Sequence, residues 1–296
     1  MPEAPDVSVI ICSRNRPSLL SDAVKSVLSG ERVPLEIVVV DQSDFANDAI
    51  GRMSERIHYI PSKTVGAGFA RNIGIRSSRG AMLAFIDDDV VVHTEWLGTL
   101  IDALVRLGPR GVVTGQVRDA SAGGAMFAPS TCDDDDPVVF SSSTRKDVLF
   151  TGNMALFRST IDVVGYFDER LGPGTAFPAA EDNDFGLRLL RAGYRVQYVP
   201  AAKVDHIAWR SRNEYLPLQW RYGKGQGAYY AKHLSIREPG VAIRLARDLV
   251  RPFVSSIVCI WKKERFGGAF FSVGVGVGCT KWLVRERFGL FNTKQD

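Results

Sequence analysis

A six-residue apolar run, Ala81-Met-Leu-Ala-Phe-Ile86, stops directly at three consecutive aspartates, Asp87-Asp-Asp89. An apolar stretch without polar alternation suits a strand covered on both faces, as in a parallel sheet. Two further runs share this form. Val7-Ser-Val-Ile-Ile-Cys12 is broken by Arg14-Asn-Arg-Pro17, and Leu35-Glu-Ile-Val-Val-Val40 stops at Asp41-Gln-Ser43. Pro17 can open a helix to about Leu28, and a short strand is expected around His58-Tyr-Ile60. Gly66 and Gly68 lead into a helix from about Phe69 to Ser77. Thr94 is placed to cap another, with Trp96, Leu97, Leu100, Leu104 and Leu107 on its apolar side. This alternation predicts an α/β fold: a mostly parallel sheet sandwiched by helices. Ligands of such sheets sit beyond the carboxyl ends of the strands. Ser13–Arg16, Asp41–Ser43 and Asp87–Asp89 are therefore expected to meet in one crevice.

From about Ala120 to Lys146 the pattern gives way to Ser, Gly, Thr and four aspartates, and a long mobile surface loop is expected. Order resumes over Val148–Arg158. A helix follows from about Asp182 to Ala192, closed by Gly193, and then a strand over Tyr194–Val199. Beyond Trp209 the chain turns helical, basic and aromatic. Residues 207–296 carry 16 basic and 6 acidic side chains, against 21 and 27 in residues 1–206, so a boundary near Ala208 divides an acidic body from a basic extension. Basic extensions meet nucleic acid, anionic lipid or an anionic substrate; the body gives no support for nucleic acid. Pro252–Trp261 and Gly267–Leu283 are apolar but shorter than the roughly 20 residues that span a bilayer. Cations at their ends suit either peripheral attachment to a membrane or a helical cap or oligomer contact. Gly274 and Gly278 form a G-x-x-x-G, but the alternating Gly–Val pairs around them predict a weak helix.

Cys12, Cys132, Cys259 and Cys279 lie far apart, which argues against a disulfide scaffold or structural zinc and for a reducing compartment. No basic-then-apolar leader pattern opens the chain, so no signal peptide is expected.

Asp87–Asp89 is the sharpest chemical signal. Three adjacent carboxylates at the end of a buried strand repel one another and resist desolvation, and a hard divalent cation removes that cost. Ala180-Glu-Asp-Asn-Asp184 opens a helix. Its carboxylates either complement the helix dipole or include a general base. His206 is a plausible nitrogen ligand beside an aspartate cluster and would favour Mn²⁺ over Mg²⁺. His58, His93 and His233 have no comparable partners in sequence and read as structural. Asp133–Asp136 lies in a Ser/Gly-rich loop and reads as solvated. No G-x-G-x-x-G follows the first strand, which disfavours a dinucleotide-binding dehydrogenase. Cys12–Arg16 contains no glycine, which disfavours a nucleotidyltransferase. A non-catalytic nucleotide- or carbohydrate-binding module stays open.

Taken together, these segments resemble the family 2 glycosyltransferases, which have the GT-A fold. The resemblance runs through Val7–Pro17, Glu36–Asp41, Gly68-Phe-Ala-Arg-Asn72, Phe85-Ile-Asp-Asp-Asp89, Thr151-Gly-Asn-Met-Ala155 and Glu181-Asp182 with Leu187–Gly193. It implies a GT-A nucleotide-sugar-binding and catalytic domain over residues 1–208 and a basic helical extension over 209–296. It implies an inverting, Mn²⁺- or Mg²⁺-dependent transfer of a sugar from a nucleoside diphosphate, with a lean to uridine or deoxythymidine. The acceptor would be a hydroxyl of a glycolipid or saccharide, at the cytoplasmic side of the cell membrane. By the same resemblance Asp41 would contact the nucleobase, Ser13 and Arg14 would line its pocket, and Arg71 and Asn72 would shape the nucleotide side. Asp88 would sit near the ribose, with Asp87 in the first position of the D-x-D motif. Asp89 and His206 would hold the metal, and Asn153 would border the donor sugar. Asp182 would be the base and Glu181 its neighbour. Gln42 stands where many members carry a second aspartate.

Overall fold

The computed structural model describes residues 6–120, 126–142, 147–235, 239–258 and 266–290. In chain order the elements are β1 (Val7–Ser13), α1 (Pro17–Leu28), β2 (Glu36–Asp41), β3 (Ile57–Pro61), α2 (Ala67–Ser77), β4 (Met82–Asp87), β5 (Val90–Val92), α3 (Trp96–Leu107) and β6 (Gly111–Asp119). They continue with β7 (Met126–Phe127), β8 (Val138–Phe140), β9 (Asn153–Phe157), α4 (Ser159–Val164), α5 (Glu181–Arg191), β10 (Arg195–His206) and β11 (Arg210–Ser211). A 3₁₀ turn leads into α6 (Tyr215–His233), α7 (Pro239–Val258) and α8 (Phe266–Arg287).

Nine strands form one sheet in the order β3-β2-β1-β4-β9-β6-β10-β5, with β8 also on β10. β5, β8 and β9 run against the other six, so the sheet is mixed and mostly parallel, as the buried runs predict. Alternate side chains of the central strands divide the core into two layers. Val9, Ile11, Ile37 and Val39 pack under α1 and α3 with Leu20, Val24, Trp96 and Leu100. Ile10, Val38, Val40 and Phe85 pack under α2 and α5 with Ala70, Ile75, Phe185 and Leu189. Burying both faces is what a strand such as β2, hidden at every position, requires.

Four expectations need correction. Thr94 does not cap α3, whose N-cap residue is Glu95, with no side-chain cap bond. The last predicted strand runs on to His206 because a register shift between Val199 and Lys203 takes up Pro200, which has no N–H to pair. Residues 126–142 are not all loop: β7 pairs with β11, and the apolar Val138-Val-Phe140 supplies an edge strand on β10. Asp133–Asp136 is exposed, as its surroundings predict. Finally, α8 is a full 22-residue helix despite its glycines. A side chain at Gly223 or Gly227 would overlap the carbonyl oxygens of Phe271 or Val275, and one at Gly278 that of Lys224. The glycines are therefore the contact face on which α6 and α8 cross, and close backbone packing offsets their low helix propensity.

Among the described residues, α8 alone is long and apolar enough by length and composition to cross a membrane, and a third of its most apolar window (33%) is buried in the protein. Cys12, Cys132 and Cys279 are free thiols; Cys259 and residues 259–261 of the first apolar segment lie outside the described residues.

Candidate active site

Beyond β1 and β4, charge is closely paired. The Ser13 hydroxyl donates to Asp88 Oδ2 (2.6 Å). Arg16 reaches Asp88 as well as Asp89, Nη1 donating to Asp89 Oδ2 (2.6 Å) and Nη2 lying 2.6 Å from Asp88 Oδ1. Its guanidinium lies over the Trp209 ring, whose Nε1 donates to the same Asp89 oxygen (2.8 Å). His206, at the end of β10, brings Nε2 to 3.5 Å from Asp89 Oδ2. Burial alone would raise both carboxyls. In Asp88 it wins over Arg16, with Asp89 adding to it, and the group is pushed up to about 7. In Asp89, burial is outweighed by the hydrogen bond from His206 and by Arg16 and Trp209, which hold the carboxyl well below its usual range. His206 is raised in turn, since Asp89 overcomes its desolvation.

At the opposite wall, α5 begins with Glu181 and Asp182. The preceding residue, Ala180, takes a left-handed φ of 70°, uncommon for a side chain with a Cβ. Gly225 of α6 packs on this turn so closely that a methyl there would stand 2.5 Å from the Ala179 carbonyl oxygen. Arg71 of α2, buried, ties the two walls together: Nη2 donates to Asp87 (3.0 Å) and Nη1 to Glu181 (2.9 Å). Asp182 receives only the Asn183 N–H (2.8 Å) among the described residues. Burial, with Glu181 and Asp147 nearby, pushes its carboxyl up to about 8.

Both walls line one cleft of about 610 Å³, within the range of small-molecule sites. Ser13, Arg14, Arg71, Asp87, Asp89, Glu181, Asp182 and His206 all face it. Four of the candidates from sequence do not. Asp88 is wholly buried behind Ser13 and Arg16. Asp41 is buried and accepts hydrogen bonds from Ser43 and the Tyr59 hydroxyl, while Gln42 after it lines the cleft. Asn153 spends its amide inside the sheet, accepting from Trp96 Nε1 (2.8 Å) and donating to the carbonyls of Gln116 (3.0 Å) and Ala202 (2.8 Å). Asn72 likewise donates away from the cleft, to Phe167 O and Glu169.

Two of the histidines read as structural have acidic partners that are remote in sequence. His93 lies 3.2 Å from Asp205, beside Arg118, and His233 lies 2.7 Å from the buried Asp184. Neither lines the cleft. Arg16 and Trp209 were missed as site residues; each falls three positions beyond a recognised one, Ser13 and His206. Asp147, Gln226, Asp248 and Phe271 also face the cleft, and no motif in the sequence points to them.

The model of the glycosyltransferase like family 2 matches residues 4–223. Over 232 residues the chain is 27% identical to the glucosyl-dolichyl phosphate glucuronosyltransferase of Haloferax volcanii, covering 73% of each protein. It is 29% identical over 303 residues to the pre-mycofactocin glycosyltransferase of Mycobacterium tuberculosis, covering 96% of this chain but only 56% of that protein. Among solved structures, the crystal structure of S. aureus TarS 1–349 superposes with a TM-score of 0.61 at 14% identity, over 98% of this chain and 93% of that one. That likeness is one of fold, the GT-A-like α/β arrangement.

Proposed function

Because the chain belongs to the family 2 glycosyltransferases, we propose that it transfers a sugar with inversion from a nucleoside diphosphate to a hydroxyl acceptor in glycoconjugate synthesis. The observation that carries this reading is the placement of Asp182 in the same cleft as Asp89 and His206. Asp182 is the general base. It takes the proton from the acceptor hydroxyl, whose oxygen bonds to the anomeric carbon as the bond to the diphosphate oxygen breaks and its electron pair leaves with the diphosphate. Attack from the side opposite the leaving group inverts the centre, and no covalent enzyme intermediate is needed. Arg14, Arg16 and Arg210, cations in the same cleft, suit the diphosphate charge.

Among the described residues no group of three ligating side chains stands ready for a metal. Asp89 and His206, one oxygen and one nitrogen donor 3.5 Å apart, nevertheless fit as the two residues that would hold Mn²⁺ or Mg²⁺. When bound, the ion supplies positive charge where the leaving diphosphate gains negative charge. The exposed apolar residues Phe270, Val273, Val277 and Val284, close in sequence to Lys281, Arg285 and Arg287, support a peripheral position at the inner face of the membrane.

A screen of nucleoside-diphosphate sugars, with and without Mn²⁺, tests the reading by thermal unfolding and by release of nucleoside diphosphate. One donor is expected to raise the melting temperature and to be hydrolysed slowly without acceptor. If no donor shifts the melting curve under either condition, the proposal fails.

A further inference from the structure

The cleft does not end at the body of the fold. Its wall beside Asp182 is completed by Tyr222 and Gln226 of α6, Asp248 of α7 and Phe271 of α8, and all but Tyr222 lie beyond the residues matched by the family model. This wall is held by a chain of hydrogen bonds that starts next to Asp182. Asn183 Nδ2 donates to Gln226 Oε1 (2.9 Å), Gln226 Nε2 to the Tyr230 hydroxyl (2.8 Å), and that hydroxyl to Asp248 Oδ2 (2.5 Å). Ser272 then ties α8 to the Asp248 carbonyl (3.0 Å). The Asp248 carboxylate is thereby set relative to Asp182 through three consecutive side-chain bonds.

We infer that this wall is the acceptor subsite, and that it takes a neutral, hydroxyl-rich sugar ring rather than a phosphate or other anion. The inference rests on the transferase reading above and names the acceptor class for it. Three observations carry it. First, the charges of the cleft are unevenly placed: Arg16, His206 and Arg210 stand with Asp89, whereas Asp147 stands near Asp182 and Asp248 is linked to Asn183, the neighbour of Asp182. The cations close to these carboxylates are engaged: Arg71 with Asp87 and Glu181, Arg244 with Asp147 and Arg247 with Asp248. An anionic acceptor would meet repulsion there, while sugar hydroxyls can donate to the carboxylates. Second, Tyr222, between Arg210 and Asp182, and Phe271 add aromatic surface to the cleft, suited to the C–H face of a sugar ring. Third, Asp182 is a base only for a hydroxyl that reaches it, and this wall is tied to the residue beside it, Asn183.

The sugar ring can belong to a free saccharide or to the head of a glycolipid, and the test separates the two sources. With the donor found by the screen, the full chain is offered methyl β-glycosides and dodecyl β-glycosides of neutral hexoses, and dodecyl phosphate as the anionic probe. Neutral glycosides are expected to be glycosylated and dodecyl phosphate not; a lower KM for the dodecyl series assigns a lipid-linked source, and for the methyl series a free one. Asp248→Asn and Phe271→Ala are each expected to lower the ratio of transfer to donor hydrolysis at least tenfold through a higher acceptor KM, with donor protection against unfolding retained. If Phe271→Ala melts early, Asp248→Asn, of unchanged shape, carries the test. Use of dodecyl phosphate in preference to the glycosides overturns the inference. So does a proportional loss of transfer and hydrolysis in Asp248→Asn. Wild-type protein that hydrolyses no donor takes down the transferase reading and this inference with it, whereas normal hydrolysis with an unmoved ratio takes down this inference alone.

Discussion

At the end of β4, Asp89 sits among Arg16, His206 and Trp209 and is held ionised far into acid; at the start of α5, Asp182 has one backbone N–H and acidic neighbours, and burial pushes its carboxyl up to about 8. Both line one cleft, Asp89 buried and Asp182 half-buried. What separates them is the company each keeps, because desolvation acts on both in the same direction and only the counter-charges differ. A permanently ionised group suits a cation and a diphosphate, whereas a group with high proton affinity suits proton abstraction. Arg71, bound to Asp87 on one side and Glu181 on the other, joins the two environments without neutralising Asp182.

The comparison breaks most sharply at Asp182. Asp182→Asn is expected to cut the rate of sugar transfer about a thousandfold, the scale of a lost general base, while donor affinity measured by calorimetry stays. Asp89→Asn should do the reverse. It is expected to weaken donor binding in Mn²⁺ by about a hundredfold, as loss of electrostatic stabilisation at the diphosphate requires, and equal affinity with and without Mn²⁺ in wild type would contradict the assignment. Arg71→Met removes the buried cation from between Asp87 and Glu181 and should cost about 3 kcal/mol in chemical denaturation. Gly225→Ala acts on one wall only: its methyl strikes the Ala179 backbone ahead of Asp182. We expect about 1–3 kcal/mol of overpacking and a fall in transfer, with donor binding spared. The smallest effect is on stability against pH. The Asp182 carboxyl is raised in the folded state, so between its unfolded value of about 4 and its folded value of about 8 the native protein holds the extra proton. Its contribution to stability is whole below that window and falls as pH rises through it. Melting curves of Asp182→Asn should lack that part of the decline.

Much of the donor side was legible in the chain. Buried runs that stop at polar residues mark strand ends, and a parallel sheet collects such ends on one edge. Ser13, Asp87 and Asp89 are where that argument puts them, His206 joins them on a strand longer than expected, and Arg16 belonged to a recognised cluster without receiving a role. Asn153 was misleading, because a side chain on a central strand can point into the sheet interior as readily as toward a ligand. The long stretch after Ala120 hid an edge strand of three residues, too short for periodicity to register. The glycines of α8 read as helix breakers because propensity is local; their partners, Gly223 and Gly227, lie about fifty residues earlier in the chain.

By itself, then, the order of residues determined the sheet, its two-sided core and the edge at which Ser13, Asp87 and Asp89 gather, because those follow from burial patterns repeated within each segment. It also marked Asp182 as a candidate. Tertiary structure alone decided that Asp182 would be the high-affinity carboxyl and Asp89 the ionised one. It alone brought Asp248 and Phe271 from the C-terminal helices into the cleft that Asp182 lines. Both outcomes depend on which distant charges and surfaces become neighbours when the helices cross, and no local pattern encodes a distance between remote segments.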